Sequence, residues 1–138
     1  MKALVQRVST ARVLVDSREV SSIGPGVLVL LGIADGDGAE QADRLADKVR
    51  ALRIFEDSAG KMNEPLGERE VLCVSQFTLL ADTRKGNRPS YMGAAKPEEA
   101  EPLYERFRER LGGKGGVFGA RMTVELSNDG PVTLLLEA

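Results

Sequence analysis

Apolar and polar positions divide the chain into short stretches punctuated by glycine, proline, asparagine and aspartate. Lys2 to Val8 and Ala11 to Val15 both alternate, and the polar Ser17-Arg18 ahead of Val20 reads as a turn, so an antiparallel meander is expected. Gly24-Pro25-Gly26 ends it. Val27 to Ile33 is then a continuous apolar run of strand length, suited to a central strand buried on both faces. Asp37 is placed to cap a helix whose Leu45, Val49 and Leu52 recur at i, i+4 and i+7, one apolar stripe that covers a sheet face. Ile54 and Phe55 open a short strand, and the following segment to Arg69, with Gly60, Pro65 and Gly67, reads as loop.

Val71 to Thr78 is a β-branched apolar run that stops at a polar cluster. As a strand it directs Val71, Cys73, Ser75 and Phe77 to one face and Leu72, Val74, Gln76 and Thr78 to the other. Ser75, Gln76 and Thr78 place two hydroxyls and a primary amide where a buried strand meets a long polar loop, Ala81 to Ala95. Taken alone, the stretch reads as a strand end whose polar side chains cap nearby backbone. The loop holds Arg84, Lys85 and Arg88, which suit an anion or simply face water.

Ala100, Leu103, Tyr104, Phe107 and Leu111 fit a second amphipathic helix with Pro97 in its first turn, while Pro102 implies a later start or a bend. Gly112 to Gly116 lacks the Walker spacing and reads as a flexible connector. Arg121 to Ser127 and Val132 to Leu136 alternate on either side of Asn128-Asp129-Gly130-Pro131, which in a plain hairpin is turn chemistry.

Composition narrows the chemistry. The 138 residues fit one domain, 1–138, with no linker, and the apolar run Val27 to Ile33 is far short of the ~20 residues a spanning helix needs, so no membrane segment is expected. The start of the chain shows no secretory signal, and one cysteine, Cys73, excludes an internal disulfide framework and fits a reducing, cytoplasmic setting. The chain has no histidine, which removes Ser-His-Asp and Cys-His catalysis and any imidazole metal site. Asp35-Gly36-Asp37-Gly38 lacks EF-hand spacing, so neither a metal nor another cofactor is expected. A net charge of −2 argues against wrapping long nucleic acid but permits a small local contact.

Ser75-Gln76-Phe77-Thr78-Leu79 and Asn128-Asp129-Gly130-Pro131-Val132-Thr133 together resemble the two signature motifs of the D-aminoacyl-tRNA deacylase family. The resemblance also covers Ala3 to Val8, Arg53-Ile54-Phe55, Gly60 to Asn63, Ala81-Asp82 and Arg88-Pro89-Ser90. It implies a single-domain, three-layer α/β/β fold with mixed, largely antiparallel sheets and two main helices. It implies hydrolysis of the ester joining a D-amino acid, or glycine, to the 3′ end of tRNA, with L-aminoacyl-tRNA spared. By the same resemblance the working unit is a homodimer. Gly130-Pro131 of one subunit, with a cis peptide bond, enters the pocket formed by Ser75, Gln76, Phe77 and Thr78 of the other, flanked by Val132 and Thr133. Arg7 corresponds to an arginine that orients the Gly-Pro backbone; its alternative is an ordinary strand-end arginine.

Chemistry must then proceed without histidine. Thr78 is the obvious side-chain nucleophile, yet no base stands beside it in sequence, which favours a positioning role. The resemblance implies that backbone groups and the substrate's own ribose 2′-hydroxyl supply the catalysis instead, with the amides around Gln76 and Phe77 gripping the substrate and stabilising developing charge. Two other readings stay open: a catalytically silent dimeric module that binds RNA ends or a small amino-acid ligand through the same pocket, and a related editing hydrolase of the same fold with a trans Gly-Pro bond that admits some L substrates.

Overall fold

The computed structural model describes all 138 residues. Strand β1 (Lys2–Val15) pairs antiparallel with β2 (Arg18–Ile23), β3 (Gly26–Gly32) and the long last strand β8 (Thr123–Glu137). Helix α1 (Ala39–Ala51), the small hairpin β4 (Phe55–Glu56) and β5 (Met62–Glu64), and then β6 (Glu70–Ser75) follow, with β6 parallel to β3. A 3-10 turn (Phe77–Leu80), helix α2 (Pro97–Leu111) and β7 (Lys114–Gly115), parallel to β6, complete the order. The main sheet runs β2-β1-β3-β6-β7, with β8 on the other edge of β1.

Both faces of this sheet are covered, which accounts for the continuous apolar run in β3. Val5, Val29, Leu31 and Cys73 pack under Leu45, Ala46 and Val49 of α1 and Tyr104, Phe107 and Leu111 of α2. On the opposite face Leu28, Leu72 and Val74 meet Val8, Ala11, Val13 and Ile23, because the outer half of β1 and β2 curl back over the sheet. The result is one domain of helices, sheet and curled sheet, as expected. Full burial of a side chain such as Leu45 or Phe107 contributes about 1.5–3 kcal/mol, so these contacts hold the helices down. The exposed forks Arg106 to Asp43 and Arg110 to Asp47 align α2 with α1 but add little by comparison.

Several elements differ from the sequence reading. The two opening segments are one strand of 14 residues, and the turn is Asp16-Ser17, both with positive φ. Gly38, not Asp37, is the N-cap of α1; the Asp37 carboxylate instead accepts Ala34 N–H at 2.7 Å. The segment after Phe55 contains β5 rather than only loop. Helix α2 starts at Pro97 and continues through Pro102, whose exposed position in the second turn spares a buried backbone group. Lys114-Gly115 is an edge strand bonded beside Leu72 and Cys73, not a free connector. Residues 121–136 form no hairpin: both halves pair with β1. No helix is long and apolar enough to cross a membrane.

Candidate active site

Strand β6 ends at Ser75, at the carboxyl end of a parallel strand with helices on one face, where open α/β sheets place ligands. The expected face alternation holds as far as Ser75, since Val71 and Cys73 join one core and Leu72 and Val74 the other. It fails beyond, because Gln76 takes φ −142° and ψ 76° and Phe77 and Thr78 enter the 3-10 turn. Gly32 permits that turn to lie against β3: a Cβ there would sit 2.5 Å from Leu80 Cδ2 and 3.1 Å from the Gln76 carbonyl.

The turn decides which groups remain available. Gln76 N–H is spent on the Leu31 carbonyl at 2.8 Å, so it cannot serve as the gripping amide expected from sequence. Phe77 and Thr78 N–H groups open a turn whose own bonds begin at Leu79 and Ala81, and no side chain caps them. These two donors stand free beside each other. The Gln76 side-chain amide donates to Thr78 Oγ1. Phe77 is exposed and meets Tyr91 edge-on, ring centroids 5.1 Å apart.

A pocket of about 430 Å³ opens against this turn, lined by Val74, Ser75, Gln76 and Phe77 on one side and Pro97, Phe118 to Ala120, Met122 and Val124 on the other. None of its ten lining residues carries a titratable side chain. The sequence reading gives no role to Phe118, Gly119 or Ala120; the only local signal is an aromatic residue after a glycine-rich run. Cys73 is close in sequence but wholly buried, and desolvation pushes its thiol far above the ordinary range, so it is no nucleophile. No cluster of three or more His, Cys, Asp or Glu side chains is present that could hold a metal ion.

The second motif lies elsewhere. Between Asn128 and Thr133, β8 leaves the ladder and bulges opposite Arg7, carrying Gly130-Pro131 outward with a cis peptide bond. Arg7 is not a strand-end surface residue: it lies mid-strand, 7% exposed, and is the one buried charged residue of the chain. Its Nη1 donates to the Ile54 carbonyl at 2.7 Å and its Nε to the Asp129 carbonyl at 3.1 Å. Gly130, at φ +124°, presses on the guanidinium so closely that a Cβ would lie 2.8 Å from Nη2. Val132 and Thr133 resume the strand, their N–H and hydroxyl bonded to Asn128.

The two motifs are not brought together within one chain. Arg7 is level with Val27 and Val71, whereas Ser75 is level with Leu31 and Ala3, and β1 and β3 lie between β8 and β6. At ~3.3 Å per residue and ~4.8 Å per strand, the Gly130 bulge and Ser75 stand on the order of 19 Å apart. The basic loop is ordered by reciprocal backbone bonds between Asp82 and Ser90 at 2.8 and 2.9 Å. Arg84 is forked onto Asp82, whose carboxyl it lowers to about 2, while Lys85 and Arg88 carry no ion pair.

Comparison with known proteins agrees with these features. A D-aminoacyl-tRNA deacylase from Anaeromyxobacter dehalogenans is 57% identical, over 100% of this chain and 97% of that protein. The protein of the same name from Thermomicrobium roseum is 55% identical, over 100% and 94%. Among solved structures, one described as a c-Myc DNA unwinding element binding protein superposes with a TM-score of 0.94 at 43% identity, covering 100% and 99% of the two chains. A probable eukaryotic D-amino acid tRNA deacylase shares the fold, with a TM-score of 0.80 at 21% identity over 98% and 97%. The family profile described as D-Tyr-tRNA(Tyr) deacylase matches residues 4–137, and with relatives of this identity along its whole length the chain belongs to that family.

Proposed function

We propose that the chain hydrolyses the ester joining a D-amino acid, or glycine, to the 3′-terminal ribose of tRNA, as a cytoplasmic homodimer that spares L-aminoacyl-tRNA. The observation that carries this reading is a pair of uncommitted N–H groups, that of Phe77 on the wall of a pocket with no titratable side chain and that of Thr78 next to it in the turn. Such a pocket cannot supply a general base. It can hold an ester carbonyl on two backbone donors and stabilise the oxyanion that develops there. Water adds to the carbonyl carbon, the bond to the ribose oxygen breaks, and the proton lost by water passes to that oxygen by way of the neighbouring 2′-hydroxyl. An aminoacyl ester is activated enough for binding and electrostatics to suffice.

The spacing of the motifs supports a shared site. Gly130-Pro131 cannot reach the Ser75 turn of its own chain across about 19 Å of sheet. It projects outward, and β8 beside it exposes Leu126, Leu134 and Leu135 along an edge that pairs with nothing else. In a dimer the bulge of one copy enters the other copy's pocket. Its backbone then fills the space an L side chain would need, while a D side chain points away and glycine has none. Lys85 and Arg88 are the free charges for the acceptor-end phosphates, a footprint consistent with a net charge of −2.

Parallel deacylation time courses on one tRNA charged with D-tyrosine or with L-tyrosine test this. Loss of the D ester alone is expected; loss of both would remove the chiral filter, and loss of neither by folded protein would remove the reaction and leave a binding module. Thr78→Ala is expected to retain activity within about tenfold of wild type, since its hydroxyl has only Gln76 beside it and no base to activate it. Trapping of an acyl group on Thr78 in quenched reactions would overturn that assignment.

A further inference from the structure

The bulge that carries Gly130-Pro131 is closed at its base by side chains, because the ladder between β8 and β1 is interrupted there. Asn128 Oδ1 accepts Val132 N–H at 3.2 Å, spanning the excursion from one side to the other. Asn128 Nδ2 donates to Thr133 Oγ1 at 2.9 Å, and Gln6 Nε2, from the β1 residue paired with Thr133, donates to the same oxygen at 3.3 Å. The Thr133 hydroxyl thus receives two N–H donors and has no accepting capacity left for a substrate. From inside, Arg7 holds the Asp129 carbonyl.

We propose that Asn128, Thr133 and Gln6 are positioning residues that clamp the Gly130-Pro131 bulge and thereby set the chiral selectivity of the enzyme. The inference rests on the reading that this bulge meets the substrate in a second copy's pocket. Exclusion by collision demands a rigid obstacle: backbone free to shift by more than about 0.5 Å gives way to an L side chain instead of rejecting it. The clamp lies near the surface, where hydrogen bonds compete with water and add little to global stability, so selectivity and folding are separable. Thr133 thus acts on specificity through the bulge and not through substrate contact.

The test is the ratio of kcat/KM on D- and L-tyrosyl-tRNA for Asn128→Ala, Thr133→Val and Thr133→Ser, with melting temperatures recorded for each. The ratio is expected to fall tenfold or more in the first two variants. Thr133→Ser keeps the accepting oxygen and is expected to stay within threefold of wild type. If folded Asn128→Ala and Thr133→Val both keep the wild-type ratio, the clamp is wrong, whatever happens to total activity. Gly130→Ala distinguishes the two levels of failure, since its Cβ displaces the bulge from Arg7. A ratio moved by Gly130→Ala but not by the clamp variants overturns the clamp alone; a ratio moved by none of them overturns the placement of the bulge in the pocket as well.

Discussion

Phe77→Pro is expected to lower kcat by 10²–10³, about 2.7–4 kcal/mol of transition-state stabilisation, while leaving the fold intact. Phe77 is the first residue of the 3-10 turn, where proline's fixed φ is accommodated and its missing N–H breaks no bond of the turn. Gln76 before it already lies outside the helical region, which suits a residue preceding proline. The substitution therefore removes one of the two free donors with little else backbone-related. It also removes the ring, and Phe77→Ala controls for that: the N–H survives and only the edge contact with Tyr91 is lost. The alanine variant is expected to lose no more than about tenfold, since an exposed aromatic contact of this kind is worth about 0.5–1.5 kcal/mol. Equal losses in the two variants, measured as single-turnover rates on D-tyrosyl-tRNA, would assign the effect to the ring and not to the backbone donor.

Arg7→Ala is expected to cost about 3 kcal/mol of stability and to lower Tm by roughly 10 °C. The guanidinium is buried and donates to two carbonyls, those of Ile54 and Asp129. Removing it takes that donor from both acceptors and leaves a gap beneath Gly130. Arg7→Lys preserves the charge but not the planar fork that spans two carbonyls at once, so it is expected to recover less than half of the lost stability. Denaturant unfolding of the three proteins checks this. A loss below 1 kcal/mol in Arg7→Ala would mean that water replaces the guanidinium readily, and that Arg7 is no structural pillar of the bulge.

Little of the site was legible from local signals alone. Ser75 to Thr78 by itself reads as a capped strand end and Asn128 to Pro131 as a turn; only the resemblance carried by the two segments together implied ester chemistry, while the lack of histidine excluded imidazole catalysis. The helix stripes through Leu45 and Val49 and through Tyr104, Phe107 and Leu111 were plain, because burial of one helix face repeats every three to four residues whatever the helix packs on. Asp37 and Gly38 mark the limit of such reasoning: each is an acceptable cap by residue type, and Asp37 is drawn away by a contact with Ala34, just past the preceding strand.

By itself the sequence determined what is periodic or compositional: two amphipathic helices, a central strand buried on both faces, and a catalytic apparatus without imidazole. Only the tertiary structure decided that β8 is one strand with a bulge and not a hairpin, that Arg7 is buried beneath that bulge, and that Gln76 N–H is spent while Phe77 and Thr78 N–H are free. The first rests on the pairing of both halves of β8 with β1, and the others involve hydrogen bonds between residues far apart in the chain, Arg7 with Asp129 and Gln76 with Leu31. Local pattern fixes which face of an element is apolar, but strand register and the fate of individual backbone donors depend on the partner strand, and that information is not local.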